Sequence, residues 1–357
     1  MLGFKAVRRR EPLAWGTLPV FLAALTLCLA VSELLLVSQG KPLFSGLFLL
    51  WDGGFAHFYS LEDTIIKGMP IFLCSLGVAV SFRMQIWNIG AEGQFAMGAI
   101  GATWAALTFP GLPSWALIPL MMLCAAVTGG IWALGPAILR VRYGVNEIIV
   151  TLMGNYIAIL VLDYLVYGPW KDPVSFGFPM TEQFSPAATI GTIPGTRIHW
   201  GIAICIAVSV VLWVFLRRTR LGYELKASGE GVKPALYAHM PYAGLVMLVM
   251  ALCGILAGWA GCLEASATVG RLQPSMMVGY GYTAVVVAWL ARLRISSIAF
   301  YSFLLAGLRV GVENLQLELQ VPAAFGGILE GALLLTVLAG QFFERYRIVP
   351  NKRGNGA

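Results

Sequence analysis

Charge is scarce in this chain of 357 residues: 11% are charged, against roughly a quarter in an ordinary soluble domain, while 59% are hydrophobic. Such a chain cannot clothe itself in polar surface, so its natural solvent is lipid. Histidine is nearly missing, and His57, His199 and His239 fall too far apart in the predicted topology to gather a metal, with no H-E-x-x-H spacing. The six cysteines (Cys28, Cys74, Cys124, Cys205, Cys253, Cys262) form no C-x-x-C pair and all lie in apolar runs, where they read as small buried hydrophobes. There is no G-x-x-x-x-G-K-[ST] loop to bind ATP and no G-x-S-x-G elbow, so the chain itself is read as neither an ATPase nor any other enzyme, with no cofactor of its own. The net charge of +7 comes from short basic clusters between apolar runs, a pattern that orients a membrane protein and does not suit nucleic acid.

What is present is a succession of apolar runs near the ~20 residues a helix needs to cross the hydrocarbon core. Ten emerge, at 17–37, 64–82, 90–109, 114–139, 146–167, 198–216, 242–262, 276–291, 296–312 and 322–341. With a cytoplasmic N-terminus, all but six of the 24 basic residues (Lys41, Lys67, Lys171, Arg197, Arg271, Arg309) fall on the inside, and the opposite orientation inverts that ratio. The expectation is therefore an all-α, polytopic membrane protein, a single transmembrane domain over 1–357 with both termini cytoplasmic. The first run ends in Glu33-Leu34-Leu35-Leu36 without a small-x-small cleavage site, so it reads as an uncleaved helix. Outside, the segment Gly168 to His199 carries five prolines and should be irregular or a short surface helix. Inside, the largest loop, Arg217 to Pro241, is too short to fold alone and suited to touching a partner.

Polar groups within apolar spans are expensive, so their positions carry information. The densest cluster, Arg83 to Gln94, holds Asn88, Gly90, Glu92, Gly93 and Gln94 in close succession and should interrupt a helix. It reads either as a gate or path element or as a plain hairpin with Glu92 solvated at its tip. Beyond it, Gly93, Gly98, Gly101 and Ala102 form a small-residue face for close helix packing. A second glycine-rich stretch runs from Glu264 to Gly281 and precedes an unusually short span. The two interruptions occupy similar places in two halves of opposite direction, which suggests inverted repeats with broken helices. Asn146 should cap the fifth span with Glu147 in its first turn, and Asn155 lies two turns on, placed to line a path or to bond a neighbouring helix. Glu330 and Arg309 are expected to form a buried, register-fixing pair.

Three ordered strings, Asn88 to Gln94, Val145 to Tyr156 and Val278 to Ala288, together resemble permease subunits of bacterial ATP-binding-cassette importers. The branch they resemble handles nucleosides and simple sugars and is related to ribose and branched-chain amino-acid permeases. The resemblance implies a bacterial inner-membrane protein, separate ATP-binding subunits, a second permease, homologous or identical, and an extracytoplasmic substrate-binding protein. It also implies a coupling helix in the loop 217–241, where Gly222, Gly229, Ala235 and Tyr237 are the matching positions and Pro234 suits the first turn of a helix running to His239. Gly231, Val232, Pro234 and His239 depart from the usual pattern. Asn88, Glu92, Gln94, Glu147, Asn155 and Tyr280 are the candidates for a path that takes a neutral polar solute. The alternative is a stand-alone secondary transporter or channel.

Overall fold

The computed structural model describes residues 4–8, 17–38, 40–42, 44–322, 325–329, 331–332, 335–336, 340 and 346–350. Glu330, and with it the expected pair with Arg309, lies outside the described residues, as does much of the tenth run. The helices are α1 (Thr17–Ser38), α2 (Ser45–Trp51), α3 (Phe58–Arg83), α4 (Ala91–Thr108), α5 (Ser114–Tyr143), α6 (Glu147–Tyr167) and α7 (Gly201–Arg218). They continue with α8 (Arg220–Glu230), α9 (Val232–Tyr237), α10 (Tyr242–Leu263), α11 (Tyr280–Leu290) and α12 (Ile295–Leu319). Among the described residues, α3, α5, α6, α7, α12 and α10 with its extension to Val269 are long and apolar enough to cross a membrane. The protein is thus helical and multi-pass.

Local chemistry sets the helix ends. α5 stops where Gly144 turns left-handed (φ 65°) and donates back to the Arg140 carbonyl. The Asn146 side chain then caps α6 by accepting from the Ile148 N–H at 2.9 Å, as the sequence predicts. Several spans differ from the predicted runs: α5 runs on to Tyr143, α10 with its extension to Val269, and α7 starts only at Gly201. α3 begins earlier, at Phe58, because Glu62 and Asp63 are helical: Glu62 is buried and Asp63 pairs with Arg197 at 3.0 Å. α12 runs on to Leu319 through Glu313, Gln316 and Glu318, which are polar but good helix formers. α11 starts only at Tyr280, since Gly279 has φ 88°.

Contacts divide the chain into two units, Leu61–Gly307 and a second made of Met1–Ser60 with Leu308–Ala357. At the centre of the first lies α4, packed between α5 and α10. Its alanines and glycines let backbones touch. A Cβ on Gly98 would overlap the Gly258 backbone, one on Gly101 the α5 backbone at Cys124, and one on Gly261 the Phe95 carbonyl. The predicted small-residue face is therefore a packing face, with Ala102 fully buried in it. At the end of this unit that carries Arg197, the segment 168–199 is irregular except for one 3₁₀ turn at Pro186–Ala188. It is pinned by Thr181 N–H to Leu272 O (3.1 Å), Phe184 N–H to Gly270 O (2.8 Å) and Ser266 Oγ to Ala188 O (2.6 Å). His199, just before α7, accepts the Gly201 N–H on Nδ1, and burial pushes its pKa down to about 4, so the ring is neutral near pH 7.

In the second unit the Glu33 carboxylate accepts from the Phe44 and Leu47 N–H groups (2.9 and 2.7 Å) and so satisfies the start of α2. Gly311 packs on the Leu50 carbonyl, and Asn314 Nδ2 donates to Leu49 O at 3.3 Å. Strands β1 (Phe4–Arg8) and β2 (Tyr346–Pro350) pair antiparallel, with Phe4 opposite Pro350, a small departure from a wholly helical chain.

Candidate functional site

Both predicted interruptions are real, and the fold brings them together. After α3 the chain turns at Gln85, which takes a left-handed φ of 58°, and runs unwound to Gly90. Unwound backbone buried among apolar helices needs partners, and one face of α6 supplies them. Glu147, Thr151 and Asn155 stand four residues apart, on one stripe of that helix. Glu147 Oε1 accepts the Trp87 N–H (3.2 Å), Thr151 Oγ1 the Ile89 N–H (3.2 Å) and Asn155 Oδ1 the Gly93 N–H (2.8 Å). Asn155 Nδ2 also donates to the Ile89 carbonyl at 2.8 Å, so its amide acts on both sides of the break. Glu147 is held in turn by an ion pair with Arg140. Asn88 and Gln94 close the break from within as a reciprocal amide pair at 3.2 and 3.3 Å, and Asn88 Oδ1 accepts the Gly90 N–H.

Glu92 joins this break to the other one. Its carboxylate accepts from Gly279 N–H at 2.9 Å and from Gly281 N–H at 2.6 Å, while standing in the first turn of its own helix α4. The positive ends of two helix dipoles, those of α4 and α11, thus converge on one buried carboxylate. Charge-assisted bonds of this kind contribute about 1.5–3 kcal/mol each, and losing the acceptor strands two buried donors. The approach is close enough that a Cβ on Gly281 would overlap the Glu92 backbone. The hairpin with a solvated Glu92 is excluded, since Glu92 is 1% exposed. Tyr280 points into the same region, its ring edge-on to Phe95 at 5.9 Å and its hydroxyl 3.5 Å from Glu264 Oε1.

All six path candidates, Asn88, Glu92, Gln94, Glu147, Asn155 and Tyr280, therefore sit in one connected region, and all six are buried. Sequence reasoning missed Thr151, although its spacing of four from both Glu147 and Asn155 was a usable signal. It also missed Tyr282, whose hydroxyl accepts from Asn155 Nδ2 at 3.2 Å. An apolar groove of about 320 Å³ between α3, α7 and α12 is lined by none of these residues.

The loop 217–241 folds as α8 and α9. The Thr219 hydroxyl caps α8 by accepting the Gly222 N–H at 3.1 Å. α9 covers Val232–Tyr237 and ends where His239 turns left-handed (φ 53°), so it lies two residues earlier than the predicted helix running to His239. Gly222 packs on the Phe215 carbonyl and Gly229 on the Arg83 carbonyl, each too close for a Cβ, and Ala235 is buried. Tyr237, by contrast, is 87% exposed, beside exposed Leu236 and Val232. Gly229 therefore ties the loop to the start of the first break, and Arg83 Nη2 also donates to Leu293 O (2.8 Å) just beyond α11.

A family model described as the permease component of branched-chain amino acid transport systems matches residues 60–338. The chain belongs to this permease family. The glucose ABC transporter permease protein TsgB13 of Haloferax volcanii is 33% identical to the permease over 98% of this chain and 95% of its own length. The guanosine ABC transporter permease protein NupP of Bacillus subtilis is 31% identical, over 88% of the permease and 91% of its own length. The nucleoside ABC transporter permease protein NupB of Lactococcus lactis is 25% identical, over 78% and 79%.

Proposed function

We propose that this chain is the membrane-spanning subunit of an ATP-driven importer for an uncharged polar solute, a nucleoside or a simple sugar. Membership of the permease family across 60–338 carries the reading, and relatives named for guanosine, nucleosides and glucose support the solute class. ATP hydrolysis then belongs to separate ATP-binding subunits, a second permease completes the channel and a binding protein delivers solute from outside. The exposed apolar side chains of α9 fit a coupling helix that docks on an ATP-binding subunit, with Gly222, Gly229 and Ala235 holding it to the bundle.

The finer architecture in this reading is ten spans in two inverted halves within the cell membrane, with both termini cytoplasmic. Antiparallel pairing of β1 with β2 supports a common side for the two termini, and hence an even number of spans. Inversion is supported by α3 and α10, which run in opposite directions, Gly77 lying against Cys253 and Ser81 bonding Val249, and each lead into a break. The six buried polar residues act as the latch of the path: when the coupling loop moves, the bonds from Glu92 and Asn155 exchange and the two breaks part. The test is uptake by the complex reconstituted with its partners in sealed vesicles. Uptake that needs ATP and the binding protein is expected; ion-gradient-driven uptake by the chain alone would overturn the reading.

A further inference from the structure

The six buried candidates already have partners within the chain, so a solute passing a latched permease meets something else at their level. That level follows from helix geometry. Asn155 lies eight residues into α6, about 12 Å from its start at 1.5 Å per residue, and α11 is about 16 Å long between Tyr280 and Leu290. Both breaks therefore meet well within the length of α6, a helix long and apolar enough to cross the hydrocarbon region of about 30 Å. At this level the chain exposes the Tyr156 ring (56%), Val278 (37%) and part of Tyr282 and Gly279. Residues 277–279 are not helical, and irregular backbone at membrane depth is tolerated only against protein or a water-filled cavity. Lipid is therefore not what covers the backbone at 277–279.

Its chemistry is specific. Asn155 Nδ2 donates to the Tyr282 hydroxyl, which orients the phenol and leaves its own proton to donate outward. Tyr156 is the next residue on α6 after Asn155, the residue whose amide holds that phenol. The Glu92 carboxylate is turned to the Gly279 and Gly281 N–H groups. The surface therefore offers aromatic faces and a hydroxyl donor beside a buried amide.

We propose that Tyr156 and Tyr282 form the wall of the solute path and select an uncharged ring solute, stacking its flat face on Tyr156 and hydrogen-bonding it through Tyr282. This rests on the importer reading above and gives it the residues that touch the solute. Such stacking is tolerant of ring identity, whereas the hydroxyl tells a solute with a well-placed acceptor from one without.

The test uses the complete complex in proteoliposomes, with labelled guanosine and labelled glucose as separate probes. Tyr156→Ala and Tyr282→Phe are each expected to raise KM for the transported probe about tenfold while ATPase activity stimulated by the binding protein stays near wild type. Ile149→Ala, an exposed change on the same helix, should leave KM alone. In the same complex, Tyr156→Cys and Tyr282→Cys should react with a membrane-impermeant thiol reagent, and the transported probe should protect them. Unchanged KM in both tyrosine variants, or cysteines that never react, overturns the proposal. A wild-type complex that imports neither probe overturns the importer's solute class instead, and the two failures are thus distinguishable.

Discussion

The seam where the two breaks meet and the loop 217–241 are opposites. In the seam, charged and amide side chains are buried and bonded within the chain; in the loop, Val232, Leu236 and Tyr237 are apolar and exposed. A soluble protein would arrange both the other way round. Buried polar groups with partners mark contacts the chain makes for itself, because stranding them costs several kcal/mol. Exposed apolar groups outside the spans mark a contact made with another chain. The seam therefore stores stability and the exposed face of α9 does not.

Four substitutions or conditions sharpen that contrast. Gly281→Val should do most, since its Cβ enters the Glu92 backbone; a loss of about 3 kcal/mol or more is expected, read as a fall in folded yield and thermal midpoint in detergent. Glu92→Gln leaves two buried N–H groups with one acceptor and should cost about 2–3 kcal/mol and abolish uptake. An unchanged midpoint would remove the latch from this account. Third comes acid, acting at His199 just before α7. Folded His199 resists protonation down to about 4 whereas the unfolded ring titrates near 6.5, so stability is lost as pH falls through that window. The loss is about 2 kcal/mol between pH 7 and pH 5, and His199→Gln should flatten that part of the pH–midpoint curve. Smallest for the chain's own stability is the pair Leu236→Asp with Tyr237→Asp, within about 0.5 kcal/mol. Yet that variant should no longer bind the ATP-binding subunit in a pull-down, and a variant that binds normally would show that α9 is not the docking helix.

Much of the site was legible because its signals are local. Asn88-Ile89-Gly90 cannot propagate a helix, and Gly279-Tyr280-Gly281 starts one abruptly. The cap at Asn146 was readable for the same reason. Reading Glu147 as a first-turn acid beside that cap was incomplete, since its carboxylate reaches Trp87, sixty residues back along the chain, and pairs with Arg140. Thr151 went unnoticed because a threonine in an apolar helix is unremarkable until its partner is known. Span ends at Phe58 and Leu319 were missed because hydropathy marks where lipid begins, whereas helices continue wherever backbone bonds are favoured.

By itself the sequence determined that this chain lives in lipid, that its spans are helical and that two of them break, because scarce charge, apolar length and glycine placement act within a few residues. Only the tertiary structure decided that the breaks face each other and that one carboxylate, Glu92, holds both. That bond joins residues nearly two hundred apart in the chain, and its partners are backbone N–H groups, which every residue but proline carries and which leave no mark in a sequence.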